Sequence, residues 1–167
     1  MKRMVKKGFT LVEILIVVII LGILAAIVIP QFTEASAEAR ISNLVTNLQT
    51  VRSQLLLYKT QHIESYPGSA SDATLFGPQM TQYTDAAGTV SAVPSTTYTF
   101  GPYLQQVPIN PLSGLSTVTI TDTATDVFTA PATGSDGGWW FNRGTGEFRA
   151  NLADSWTKPD GTVLNTM

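Results

Sequence analysis

The sequence predicts an α+β chain, in which one long N-terminal α-helix, membrane-spanning in its first half and amphipathic in its second, packs on a small antiparallel β-sheet. Three observations predict it. Residues 14–29 are all apolar or glycine. Ile41, Leu44, Val45, Leu48, Val51, Leu55 and Tyr58 then trace one stripe of a helix. Residues 117–121 alternate and are β-branched throughout, and further on two aromatic-bearing runs flank a four-residue turn with two glycines.

The 167 residues leave room for one domain of ordinary size plus a membrane segment. Charged residues make up 13% of the chain, about half the usual share, so the domain presents a quiet surface suited to packing. The net charge of −2 hides an asymmetry, because Lys2, Arg3, Lys6 and Lys7 all precede residue 9. The remaining basic residues are scattered, which argues against a nucleic-acid surface. Cysteine is absent, excluding disulfides, thiolate chemistry and Cys-based metal sites.

The basic start and apolar run exceed an ordinary secretory signal, whose apolar region covers about 7–15 residues. Residues 9–29 form a helix of roughly 30 Å, the thickness of the hydrocarbon core. The basic cluster keeps the N-terminus cytoplasmic and places everything after Pro30 across the membrane. Within the run, Glu13 costs on the order of 2.5–3.5 kcal/mol by insertion scales and requires a partner or an interfacial position. Pro30 removes a hydrogen bond and predicts a kink or local melting, with Gly22 as a second point of bending. The alternative is that Pro30 merely ends the membrane segment.

No proline or glycine interrupts residues 31–65, so the helix is expected from about Phe9 to His62. Glu38, Arg40, Asn43, Asn47, Gln49 and Arg52 mark its polar face. Ser65-Tyr66-Pro67-Gly68 ends it. A loop-rich stretch follows, with a helical turn near residues 72–75. Residues 101–111 carry three prolines and read as a rigid connector without regular structure. Val118 and Ile120 face inward on the first strand. Residues 139–142 and 147–151 form a hairpin around Arg143-Gly144-Thr145-Gly146. Trp139 and Trp140 read as core and subunit-contact mass rather than a ligand platform. The expected organisation is 1–8 leader, 9–30 membrane helix, 31–64 amphipathic helix and 65–167 globular domain, with connector 65–115, sheet 116–152 and C-terminal tail 153–167.

Lys6-Lys7-Gly8-Phe9-Thr10-Leu11-Val12-Glu13 resembles the processing site of type IV pilins and of the pseudopilins of type II secretion systems, most of all the major pseudopilin. The resemblance implies that a prepilin peptidase cuts between Gly8 and Phe9 and methylates Phe9, that Glu13 directs assembly, and that Pro30 is the helix-bending proline. It also implies a ladle-shaped fold. A free amine created at Phe9 would lie one helical turn from Glu13, and in a bundle one subunit's amine can neutralise a neighbour's carboxylate and set register. The other reading of Glu13 is an acid at headgroup level.

Tyr66-Pro67 and the Tyr103-Leu104 connector resemble further landmarks of major pseudopilins. Asn110-Pro111-Leu112 departs from their Asp-Pro-aromatic pattern, and residues 80–100 look longer than usual. The implied partners are other copies in a helical filament, the prepilin peptidase and methyltransferase, an inner-membrane assembly platform with minor pseudopilins or pilins, and lipid before assembly. The implied location is the inner membrane, with the globular domain periplasmic, and then a periplasmic or surface filament. Lack of cysteine favours a pseudopilus over a surface pilus, and a membrane-tethered binding module is the third reading.

Major pseudopilins often bind one calcium ion in a C-terminal loop. Asp136, or Asp122 with Asp126, could supply hard oxygen ligands, but their spacing does not reproduce the family's loop, so no metal site and no cofactor are assigned. His62 is the sole histidine, and neither a phosphate loop nor a nucleophile elbow is present, so no enzymatic activity is expected.

Overall fold

The computed structural model describes residues 8–69, 71–131, 137–158 and 160–167. The predicted leader falls almost wholly on residues 1–7, outside the described residues. The chain divides into two compact units, Met1–Ala39 and Arg40–Met167, and the fold is α+β.

Helix α1 runs Leu11–Gln61 without interruption. In the first unit every described residue is exposed. The local melting expected at Pro30 is absent. A proline deletes one ladder bond, and the Thr33 hydroxyl donates to the Pro30 carbonyl at 2.7 Å and lies 3.5 Å from that of Ile29, giving this turn other polar contacts.

In the second unit, Leu44, Leu48, Val51, Leu55 and Tyr58 of α1 are buried, with Ile41 partly so. They pack in one cluster with Phe76, Met80, Trp139, Phe141, Phe148, Leu152 and Leu164. Arg52, predicted on the polar face, instead points into the domain. Its Nε and Nη2 donate to the Phe148 carbonyl at 3.0 and 2.7 Å, and Nη2 reaches the Met167 carbonyl at 2.5 Å. The long stem lets a residue beside the apolar stripe bridge to backbone.

The helix stops earlier than Ser65, because Ile63 and Glu64 adopt the left-handed conformation with φ of 54° and 59°. Glu64 N–H donates to the Lys59 carbonyl at 3.1 Å, satisfying a terminal helical acceptor. His62 follows the stripe into the core at 2% exposure. Its ring stacks on Tyr58 at 3.7 Å, with Nδ1 2.8 Å from the Tyr58 carbonyl and Nε2 2.9 Å from the Thr84 hydroxyl. This is a hydrogen-bonded core histidine.

Residues 65–115 hold more regular structure than expected. A 3₁₀ turn, Ala73–Leu75, leads into α2, Phe76–Thr81, and β1 (Tyr83–Thr84) pairs antiparallel with β2 (Val90–Ser91). Gly77 and Pro78 hid α2 from pattern reading. Pro78 lies in its first turn, where a missing N–H costs nothing.

The main sheet has the order β3 (Val118–Thr121), β4 (Trp139–Asn142), β5 (Glu147–Ala150). β4 and β5 form the expected antiparallel hairpin, but β3 runs parallel to β4, so the sheet is mixed rather than antiparallel. The connection from Asp122 to Gly138 is long enough for the crossover that parallel pairing requires. On β3, Ile120 is buried and Thr119 exposed, as alternation demands. Trp139 lies in the core and donates Nε1–H to the Pro108 carbonyl at 2.8 Å. Trp140, on the other face, meets Phe128 edge-on at 5.4 Å.

In the C-terminal segment, Ala153, Leu164 and Asn165 are buried. Leu164 is 1% exposed, and Asn165 donates to the Leu152 carbonyl and the Asp154 carboxylate, each at 2.8 Å.

Two stability predictions follow from this unit. Ile63 is 83% exposed and β-branched at positive φ, so Ile63→Gly relieves backbone strain without losing packing and stabilises by up to about 1 kcal/mol, read by urea unfolding of the full chain in detergent. Burial holds the Tyr58 phenol well above its ordinary 10.0 and raises Tyr103 as well. Both therefore favour the fold while protonated, a contribution complete below pH ~10 and lost as pH rises through the folded values. Unfolding on alkaline titration should coincide with tyrosinate absorbance.

Candidate functional site

Gly8, Phe9 and Thr10 precede α1 in non-helical backbone. Phe9 is 83% exposed, and no atom beyond its chain neighbours lies within 4 Å of the place a Cβ on Gly8 would occupy. The peptide between them is thus presented in an open segment directly before a helix, the kind of backbone a protease can grip.

Thr10 and Glu13 form a reciprocal cap. The Thr10 backbone N–H and hydroxyl each donate to Glu13 Oε2 at 2.9 Å, while the Glu13 N–H donates to the Thr10 hydroxyl at 3.2 Å. This is the Thr-x-x-Glu capping box, in which two helix-start donors are satisfied at once, and such a cap contributes about 1 kcal/mol. Sequence reasoning paired Glu13 only with a neighbour's amine and missed Thr10, although Thr10-Leu11-Val12-Glu13 is itself the signature. Both bonds onto the carboxylate fall on Oε2. Oε1 takes part in neither.

From Leu11 to Ile29, fifteen Leu, Ile and Val side chains are at least 40% exposed, on every side of the helix. At about 1.5–3 kcal/mol for full burial of each, half-exposure leaves on the order of 10–20 kcal/mol of unrealised apolar burial. The segment is long and apolar enough to cross a membrane. Gly22 lies within this stretch with no neighbour near its Cβ position, and Pro30 lies one residue beyond it.

Of the aspartates considered for a cation, Asp136 lies outside the described residues. Asp122 and Asp126 sit at one end of the main sheet. Asp122 Oδ1 is 3.8 Å from Arg143 Nη1, and Asp126 Oδ2 accepts the Thr123 N–H at 3.3 Å. Among the described residues, no three His, Asp or Glu side chains gather into a metal-binding group.

Residues 3–29 match the family described as the prokaryotic N-terminal methylation motif. Over 69 residues the chain is 38% identical to the type II secretion system core protein G of Pseudomonas aeruginosa, a match covering 41% of this chain and 48% of that protein. It is 37% identical over 68 residues to the fimbrial protein of Neisseria meningitidis serogroup B, covering 41% of this chain and 39% of that protein. The chain thus spans about half or less of the length of these two relatives. The type II secretion system core protein G of Vibrio cholerae is 33% identical over 142 residues, 83% of this chain and 89% of that protein. No solved structure matches the chain. Because the family match takes in the open Gly8-Phe9 junction and the capped apolar helix, and the likeness to the Vibrio cholerae core protein G covers 83% of the chain, the chain belongs to the type IV pilin-like family, alongside fimbrial proteins and the type II secretion core protein G.

Proposed function

We propose that this chain is a structural subunit of a pseudopilus in a type II protein secretion system, and no enzyme. It is stored in the inner membrane through α1, with its globular unit periplasmic, cut between Gly8 and Phe9 and methylated at Phe9. It then polymerises through its N-terminal helices. The observation that carries this reading is the all-round apolar surface of residues 11–29, interrupted at its start by the single carboxylate of Glu13. A surface so large requires lipid or sister helices. The amine released at Phe9 of a neighbouring copy is the cation that would answer this one acidic group once the helices leave lipid.

The pseudopilus is favoured over a surface pilus because the likeness to a core protein G runs through the globular unit, covering 83% of the chain, whereas the likeness to the meningococcal fimbrial protein covers 41%. The assembly partners on this reading are further copies, minor pseudopilins, the inner-membrane platform and the peptidase. Bending at Gly22 and Pro30 would let α1 adjust when it exchanges lipid for sister helices.

Two measurements test the proposal. Intact-mass analysis of protein from assembled fibres should show residues 1–8 removed and one methyl group added. Finding the leader retained would favour a tethered module instead. Glu13→Ala, assayed in cells carrying the secretion apparatus, should leave the subunit in the membrane while filament yield drops at least tenfold. Normal polymerisation of that variant rules out the pairing between Glu13 and the new terminus.

A further inference from the structure

The end of the main sheet is built around Asn142, the last residue of β4, whose side chain is completely buried. Its Oδ1 accepts the N–H groups of Gly144 and Thr145 at 2.8 and 3.1 Å, so the opposite end of the carboxamide is the donor. That end donates to the carbonyls of Thr123 and Asp126 at 3.1 and 2.8 Å. Asp126 N–H in turn donates to the Thr123 carbonyl at 3.1 Å, closing a tight turn over the amide. The turn also lies against Gly144, where a Cβ would stand 2.6 Å from the Ala124 nitrogen and 2.9 Å from the Asp122 carbonyl oxygen.

A calcium ion collects six to eight oxygens, carboxylate and carbonyl, at about 2.3–2.6 Å. The turn after β3 offers such oxygens in Asp122, Thr123 and Asp126, but its two convergent carbonyls are aimed at the N–H bonds of Asn142. The Asp122 carboxylate lies toward Arg143, at 3.8 Å. A cation placed between the carbonyls would face those two hydrogens and the nearby guanidinium. The donor set therefore does not fit a calcium ion.

We propose that the carboxamide of Asn142, and not a cation, gathers the carbonyls of the turn after β3 by hydrogen bonds, so that the ordering of this turn is independent of calcium. The arrangement is chemically economical. A buried amide brings two donors to the turn and two lone pairs to the β4–β5 hairpin, so a single side chain ties the two loops together without any charge.

The test uses the full chain in detergent, melted in millimolar calcium and again in excess chelator. The wild-type melting temperature should be the same in both, and an upward shift with calcium overturns the proposal. Asn142→Ala removes the side-chain partner of two carbonyls and two N–H groups and should lower the melting temperature by about 5 °C or more in both solutions. An unchanged value overturns the clamp. Asn142→Asp keeps the acceptor for Gly144 and Thr145 but turns an oxygen toward the two carbonyls. It should melt below the wild type in chelator, and a wild-type melt there overturns the clamp. Should Asn142→Ala fail to fold, the Asn142→Asp melt still decides.

Discussion

The composition of α1 is the constraint from which the rest follows. A helix apolar on all sides through Ile29 and apolar on one stripe from Ile41 onward asks for two different kinds of cover. The stripe is covered by the chain's own aromatic residues, with Leu44, Leu48, Val51, Leu55 and Tyr58 fully enclosed. In the earlier part every described residue is exposed. Hydrophobic surface of that extent is stable only when removed from water, which is why membrane storage and helix-to-helix polymerisation are two solutions to one physical demand. Glu13 is the only acidic residue on that surface, and its place in a capping box keeps its carboxylate fixed at the helix start instead of freely mobile.

The globular unit meets a second constraint. It has two small sheets and long irregular connections, so many backbone polar groups find no partner in a ladder. Buried groups of that kind must be satisfied elsewhere. Here asparagine does much of this. Asn110 donates to the Gly138 carbonyl at 2.7 Å and accepts the Leu112 N–H at 3.0 Å, Asn142 clamps the turn after β3, and Asn165 holds the C-terminal segment to Leu152. The departure noted at Asn110-Pro111 acquires a reason in this light. An ionised aspartate there could accept the turn's N–H groups but could not donate to Gly138. Arg52 does the same from α1, bonding the Phe148 carbonyl of β5 and the Met167 carbonyl and so tying helix, hairpin and C-terminal segment at one point. A surface poor in charge and rich in Ser and Thr suits a domain held together through its interior.

Much of this was legible in the residues. The long helix, the β3 strand and the β4–β5 hairpin are local patterns: a period of three to four, an alternation and a two-glycine turn between aromatic runs. The Gly8-Phe9 to Glu13 segment was equally plain, because its meaning lies in adjacent letters. The Thr10 cap is also local, since Thr10-Leu11-Val12-Glu13 carries the spacing of a capping box.

What the sequence determined by itself, then, is whatever depends on neighbours along the chain: the helix, its two kinds of surface, the strand faces, the turn and the junction before Phe9. Tertiary structure alone decided that β3 runs parallel to β4, that Arg52 turns inward, that residues 73–91 order into two short helices and a strand pair, and that Asn142 closes a loop some twenty residues upstream. The physical reason is the same each time. Periodicity reports which face of an element is buried, but the direction of a strand, the target of a long side chain and the partner of a buried amide are set by residues distant in sequence that meet only when the core has formed.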